Sequence, residues 1–585
     1  MKELQYLNKY FAKYKFQFLL GIIITVASQL FSLFTPTEIG DSVTAIEKYT
    51  KGEMSADGVK DVLFTSIMII LGATLLKGIL TFFMRQTLIV MSRHIEFDLK
   101  NDIFRHYENL SQSFYKRNRT GDLMNRISED VNKVRQYVGP AIMYALNMLI
   151  LFIVILTQMI LISPKLTLYT VVPLPLLAYS IFWVSKEINR RSTLTQQNLS
   201  RLSTFSQEMF SGIRVTKAYA LEGQKEAGFT ALSRENKKMN MSLAFVNALF
   251  GPLMVLLIGI SNLVVILVGG NMYVNGTIAD IGTIAEFILY INMLTWPVAS
   301  LGWISGMVQE AEASQKRINE FLKTEPDIQN SAAGHTAVLG NIAFENVSFT
   351  YEDTNIEALK NVSFSLNKGQ TLAILGRTGS GKSTLLSLIS RLYDATSGTI
   401  KIDGENVKDV NLYDLRNSIG FVPQDAFLFS DSIKNNIRFG KEDATDDEVV
   451  TVSKKAAVHH NIEGFTHQYE TILGERGITL SGGQKQRVSI ARAMIKNAPI
   501  LLLDDCLSAV DTETEETILN NLRDFCRDKT TIIVSHRVSS AKNADTILVL
   551  EDGKITESGT HNQLIAHNGY YKELYMLQLA EKEML

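Results

Sequence analysis

Apolar positions in the first half of the chain gather into six long, nearly uncharged stretches, at about residues 16 to 36, 62 to 84, 139 to 161, 166 to 185, 246 to 269 and 283 to 303. Each reaches the roughly 20 residues that a helix needs to cross about 30 Å of hydrocarbon. A buried helix of a soluble protein would explain any one of them, but not six in succession. The pattern predicts an all-α domain of six transmembrane helices. Residues 37 to 61 carry more acid than base and are expected outside, whereas 85 to 138 and 186 to 245 hold ten Lys and Arg each. That excess marks cytoplasmic segments. Both keep a helical pattern and are poor in proline, so the spans should continue as long cytoplasmic extensions. Lys2, Lys9, Lys13 and Lys15 precede the first span without a small-residue cleavage site, which predicts an uncleaved anchor with a cytoplasmic N-terminus.

Within the first extension, FYKRNRTGDLMNRISED (114 to 130) should break at Thr120-Gly121-Asp122, with Asp122 as N-cap of a short helix. The second carries SGIRVTKAYALE (211 to 222), a glycine break followed by an amphipathic stretch. The residues alone leave open whether these are solvated hairpins or docking elements. Polar groups at membrane depth are few: Gln29, Lys77, Asn147, Gln158, Asn262 and Asn292, with Trp296 and Pro297 late in the sixth span. Lys77 is either a pathway residue or a snorkelling one. Sparse polar groups on apolar walls suit amphipathic or hydrophobic cargo better than ions.

Past the sixth span the polarity changes. Residues 1–320 read as the membrane domain, 321–340 as a Ser/Ala/Gly linker and 341–585 as a soluble domain. In the last, the strand-like runs IAFENVSFTY, LKNVSFSL and QTLAILG give way to alternating helix and strand, an α/β pattern. GRTGSGKST, Gly376 to Thr384, follows the apolar run TLAILG and opens a helical one, which is the context of a P-loop. Gly376, Gly379 and Gly381 free the backbone N–H groups of Arg377, Thr378 and Ser380 to close around phosphates. Lys382 meets their charge, Ser383 offers a hydroxyl to Mg2+, and Thr384 completes the motif. PILLLDD (499 to 505) is a buried strand ending in Asp504, a second magnesium ligand, and Asp505. LSGGQKQR begins a helix at Ser481, Gly482, Gly483 and Gln484, whose N-terminus is a further anion site.

With 585 residues the chain exceeds a single core, and its formal net charge of −2 gives no bulk attraction for nucleic acid, so no nucleic-acid partner is expected. Cys506 and Cys526 are too few and too cytosolic for a disulfide framework.

The order Walker A, LSGGQ, Walker B resembles that of ABC transporter ATPases, and the whole chain resembles bacterial ABC exporter half-transporters. The fold implied is multidomain: a six-helix transmembrane domain followed by an α/β P-loop ATPase domain with a helical subdomain. The resemblance implies that Tyr351 stacks on adenine and that Gln424 in FVPQDAFLFS meets Mg2+ and senses the membrane domain. It also implies that His536 in IIVSHR is the switch histidine. By the same resemblance Ser508 to Asp511 cross a dimer interface, Leu473 to Gly477 contact the extensions, and the TGDLMNRISED and IRVTKAYALE segments are coupling helices. The implied activity is ATP-driven export of lipophilic compounds across the cytoplasmic membrane, with a lipid flippase as alternative. The implied partner is a second half-transporter, in which LSGGQ completes the opposite subunit's site. One residue departs from the pattern. Efficient members carry glutamate after the Walker B aspartate, and this chain carries Asp505. Asp505 is the expected catalytic carboxylate with its reach shortened, which points to a heterodimer with a glutamate-bearing partner and leaves a homodimer with two slow sites open.

Overall fold

Helices take up every apolar stretch of the first half in the computed structural model, which describes residues 2 to 584 except Ala333, Ala509 and Asp511. The chain divides into two units: Met1–Glu108 with Thr120–Thr324, and Asn109–Arg119 with Glu325–Leu585.

In the first unit, Lys15–Leu30 and Phe34–Thr50 precede the helices Ala56–Asn109, Ile142–Ile162, Glu222–Val274 and Gly282–Leu322. Ala56–Asn109 has 54 residues and Glu222–Val274 has 53. At about 1.5 Å per residue each is near 80 Å long, well beyond the width of a bilayer. Five helical stretches among the described residues are long and apolar enough to cross a membrane. The stretch expected as a fourth span, 166 to 185, is helical in two pieces, Pro164–Val171 and Pro173–Ser211. Pro173 lacks an N–H and interrupts the ladder there, and polar residues take over soon after, so neither piece alone is long and apolar enough. The turn before it is set locally: Ser163 is extended (φ −155°), its hydroxyl accepts from the Leu166 N–H, and Pro164 sits at the first helical position.

The expected break at Asp122 is corrected. The Gln112–Arg117 helix ends at Asn118, whose backbone is extended and whose Nδ2 donates to the Phe114 carbonyl at 2.9 Å. The next helix, Thr120–Asn125, starts two residues before Asp122, which lies in its first turn. An acid there complements the helix dipole without capping.

Phe287, Tyr290 and Leu294 pack with Ile155, Met159, Leu166 and Val265 in a buried apolar cluster. Beside it the Phe34–Thr50 and Gly282–Leu322 helices touch backbone to backbone: a Cβ on Gly282 would lie 2.0 Å from the Gly40 carbonyl oxygen. Small residues permit such close crossings. Gly282→Val is therefore expected to force the helices apart and to lower the yield of monodisperse protein in size-exclusion chromatography several-fold. A variant as well behaved as wild type would contradict that crossing.

Among the described residues the second unit has ten strands: β1 Ile342–Tyr351, β2 Ile356–Leu366, β3 Thr371–Leu375, β4 Ser397–Ile402, β5 Glu405–Asn406, β6 Ile419–Val422, β7 Ile500–Asp504, β8 Thr530–Val534, β9 Thr546–Glu551 and β10 Lys554–Gly559. One sheet runs β2-β1-β4-β5 and is antiparallel, and the other runs β10-β9-β3-β8-β7-β6. In the second, β9, β3, β8, β7 and β6 are parallel. The pleat of β3 splits its side chains: Leu372 and Ile374 face a core with Leu385 and Ile532, while Ala373 and Leu375 face one with Ile547 and Tyr571. Burial on both faces explains its unbroken apolar run.

Candidate functional site

Because β3, β8 and β7 are neighbours and parallel, their C-terminal ends bring three separate loops together, the usual place for a ligand in such sheets. From β3 the chain enters Gly376 to Gly381 and then the Lys382–Ile389 helix. Gly376 has φ +151° and Gly381 φ +98°. A Cβ would meet the Leu550 carbonyl at 2.2 Å in the first case and the Ala358 carbonyl at 2.3 Å in the second, so both positions exclude a side chain. Gly379 also has positive φ, Thr378 is exposed, and the Arg377 guanidinium lies 5.6 Å from the Tyr570 ring centre.

Lys382 is buried, and its ammonium donates to the Gly376 and Arg377 carbonyls at 2.8 Å each. Burial pushes its pKa down, against the pull of Asp505 and Asp504. The Ser380 hydroxyl is buried in the same loop without a hydrogen-bond partner among the described residues. A cradle of glycines, a buried cation and an unsatisfied hydroxyl together fit an ATP phosphate chain.

The Ser383 hydroxyl donates to Asp504 Oδ1 at 2.9 Å. The Asp504 carboxyl is pushed up first by burial and also by the neighbouring Asp505. Asp505 follows in the left-handed region at φ +43°, its N–H bonded to the Val534 carbonyl at 2.9 Å. Its Oδ2 is 3.9 Å from His536 Nε2. Burial raises this carboxyl too, while His536 and Lys382 oppose the shift. The loops thus gather Lys382, Ser383, Asp504, Asp505 and His536.

Tyr351 closes β1, with its hydroxyl 3.0 Å from Thr384 Oγ1. The Lys116 ammonium lies 4.1 Å from its ring centre. Lys116 and Arg117 also reach Asp353 and Glu352, at 3.6 and 2.6 Å, and Ser111 donates to Asp327 at 2.7 Å. Sequence reasoning passed over Lys116 and Arg117. Their basic run, KRNR, was the available signal, but nothing local tied it to Tyr351.

The remaining expected residues stand apart. Gln424 lies exposed after β6, and its carbonyl accepts from Gln486 Nε2 at 3.3 Å. Ser481 caps the Gly482–Ile495 helix in a reciprocal capping box with Gln484, next to Gly483. Among the described residues, no hydrogen bond joins Ser481–Gln484 to the Gly376–Thr384 loop. Of the expected interface loop, Ala509 and Asp511 lie outside the described residues.

Residues 18–298 match the family described as the ABC transporter transmembrane region, and residues 359–508 match the one described as ABC transporter. The chain is 36% identical over 577 residues to the probable multidrug resistance ABC transporter ATP-binding/permease protein YheI of Bacillus subtilis (strain 168), covering 98% of this chain and 97% of that protein. It is 34% identical over 516 residues to the ATP-dependent lipid A-core flippase of Syntrophus aciditrophicus (strain SB), covering 87% of this chain and 85% of the flippase. Among solved structures, a bacterial Atm1-family ABC exporter with ATP bound aligns with TM-score 0.79 and 25% identity over 96% of this chain and 99% of that one.

Proposed function

The chain belongs to the ABC transporters, as an exporter that couples ATP hydrolysis to transport, and from that premise we propose that it serves as one subunit of a dimer exporting lipophilic or amphipathic compounds by alternating access. Multidrug-type cargo is favoured by the sparse polar groups on apolar membrane helices and by the multidrug names of its relatives. Mg2+ would be held by Ser383 and Asp504 together with phosphate oxygens, and it would offset charge on the transferring group. Tyr351 would stack on adenine, Gln424 and His536 would sense and orient the phosphate end, and Asp505 would orient the attacking water. Ser481 to Gln484, apart from their own P-loop, would complete the partner's site.

The observation that carries the coupling is the ion pairing of Lys116 and Arg117 with Asp353 and Glu352. These cations sit in the stretch between membrane helices yet end beside the nucleotide-stacking tyrosine. Motion of the nucleotide site would thereby reach the helices. Disrupting the segment with Gly121→Pro and Asp122→Ala together is expected to lower dye transport by about tenfold while basal ATPase stays within about twofold, because the lesion lies between chemistry and cavity. Equal loss of both activities would count against the coupling role.

A further inference from the structure

The strongest feature outside the nucleotide site is a cavity of about 300 Å³ in the membrane unit, built by helices Lys15–Leu30, Ala56–Asn109, Ile142–Ile162 and Gly282–Leu322. Lys77, Thr81 and Arg85 line it from successive turns of one helix face. Spacing of four residues places the α-carbons of Lys77 and Arg85 about 12 Å apart. Among the described residues, no carboxylate lines the cavity. Two acids of the membrane unit are engaged elsewhere: Glu286 accepts from Thr37 and Tyr290, and Glu38 from Ser66. Gln29 donates to Asn147 at 2.8 Å, and Asn147 to the Met84 sulfur at 3.5 Å, so the amides of this wall satisfy one another. Neither Lys77 nor Arg85 has a hydrogen bond or ion pair among the described residues. The remaining wall is soft and apolar, with Met143, Met148, Met293, Tyr144 and Trp296.

Lys77 is an unpaired cation within a span, which is costly, and Arg85, two turns on at the start of the cytoplasmic segment, lines the same cavity, so this arrangement gains most from an incoming negative charge. Methionine and aromatic walls accept varied apolar shapes. We propose that this cavity is a cargo subsite selective for amphipathic anions, with Lys77 and Arg85 holding the anionic group and the methionine and aromatic wall holding the lipophilic body. This rests on the export reading and adds the sign of the cargo's charge. An anionic lipid headgroup and a free lipophilic anion share the recognised chemistry.

The test uses the full-length chain with its partner subunit in phosphatidylcholine nanodiscs and two probes of matched shape and opposite charge, tetraphenylborate and tetraphenylphosphonium. Equilibrium dialysis, corrected with empty nanodiscs, gives binding for wild type, for Lys77→Gln with Arg85→Gln, and for the charge-keeping pair Lys77→Arg with Arg85→Lys. Lipid partition is common to all variants, so their ratios isolate the site. Wild type is expected to bind tetraphenylborate the more tightly. The neutral pair should weaken it by about tenfold or more while leaving tetraphenylphosphonium within about twofold, and the charge-keeping pair should restore it. Wild type alone decides the matter if a variant misfolds. Equal binding of both probes, preference for the cation because the partner subunit supplies a carboxylate, or equal weakening of both probes in the neutral pair would overturn the proposal. With the anion preference established, added phosphatidylglycerol that competes with tetraphenylborate identifies a lipid headgroup as the anion, and absence of competition identifies a non-lipid one. ATP-dependent transport without charge preference would overturn the subsite alone, whereas charge preference without any transport would overturn export and leave the subsite standing.

Discussion

Lys382→Ala is expected to weaken MgATP binding at this chain's own site by about 30- to 150-fold, since a buried charge-assisted contact contributes about 2 to 3 kcal/mol. The loop itself should survive the change. Its shape is set by Gly376 and Gly381 against the Leu550 and Ala358 carbonyls, while the lysine contributes bonds to the Gly376 and Arg377 carbonyls. Isothermal titration in a dimer whose other subunit has its own P-loop lysine already replaced isolates this site. Unchanged affinity there would remove Lys382 from the nucleotide site.

Asp505 carries the second large effect. One methylene fewer than glutamate retracts the carboxylate by roughly 1 Å, and misplacement on that scale costs about a hundredfold in rate. Asp505→Glu should therefore raise single-site turnover substantially, while Asp505→Asn should change total ATPase far less than the same change in a glutamate-bearing partner. The left-handed backbone works the other way on stability: at φ +43° aspartate is tolerated better than a longer side chain, so Asp505→Glu should also cost about 1 kcal/mol. Acidity gives an independent readout. Burial raises the Asp505 carboxyl, so turnover through it should begin to fall, as pH is lowered, above the range of an exposed aspartate near about 3.9. Should Asp505→Asn abolish all hydrolysis and Asp505→Glu add nothing, Asp505 is a fully competent residue and the slow-site reading fails.

Much of this was legible in the sequence because the physics is local. The run TLAILG before GRTGSGKST requires a buried strand and a glycine loop, and β3 with its following helix has that form. The apolar stretches likewise announce themselves by length. Pro173 was visible, but the two-piece helix it produces was not inferred from hydropathy, which ignores backbone N–H groups. Asn118 closing its helix was hidden beside the more obvious glycine at 121. What stayed wholly out of reach were pairings between residues distant in sequence: Lys116 above Tyr351, Gly40 against Gly282, and Gln29 bonded to Asn147. Glu286 was passed over for the same reason, since its burial is made acceptable by Thr37 on another helix.

ATP hydrolysis by this chain and its partner is expected to move lipophilic compounds out of the cell. Inside-out membrane vesicles containing both subunits test it directly, with accumulation of a lipophilic fluorescent dye followed after addition of MgATP. Accumulation that needs hydrolysable ATP, stops with orthovanadate and disappears when Lys382→Ala is combined with the equivalent change in the partner is the predicted result. Vesicles that hydrolyse ATP at full rate yet accumulate neither a neutral, a cationic nor an anionic lipophilic dye would contradict it.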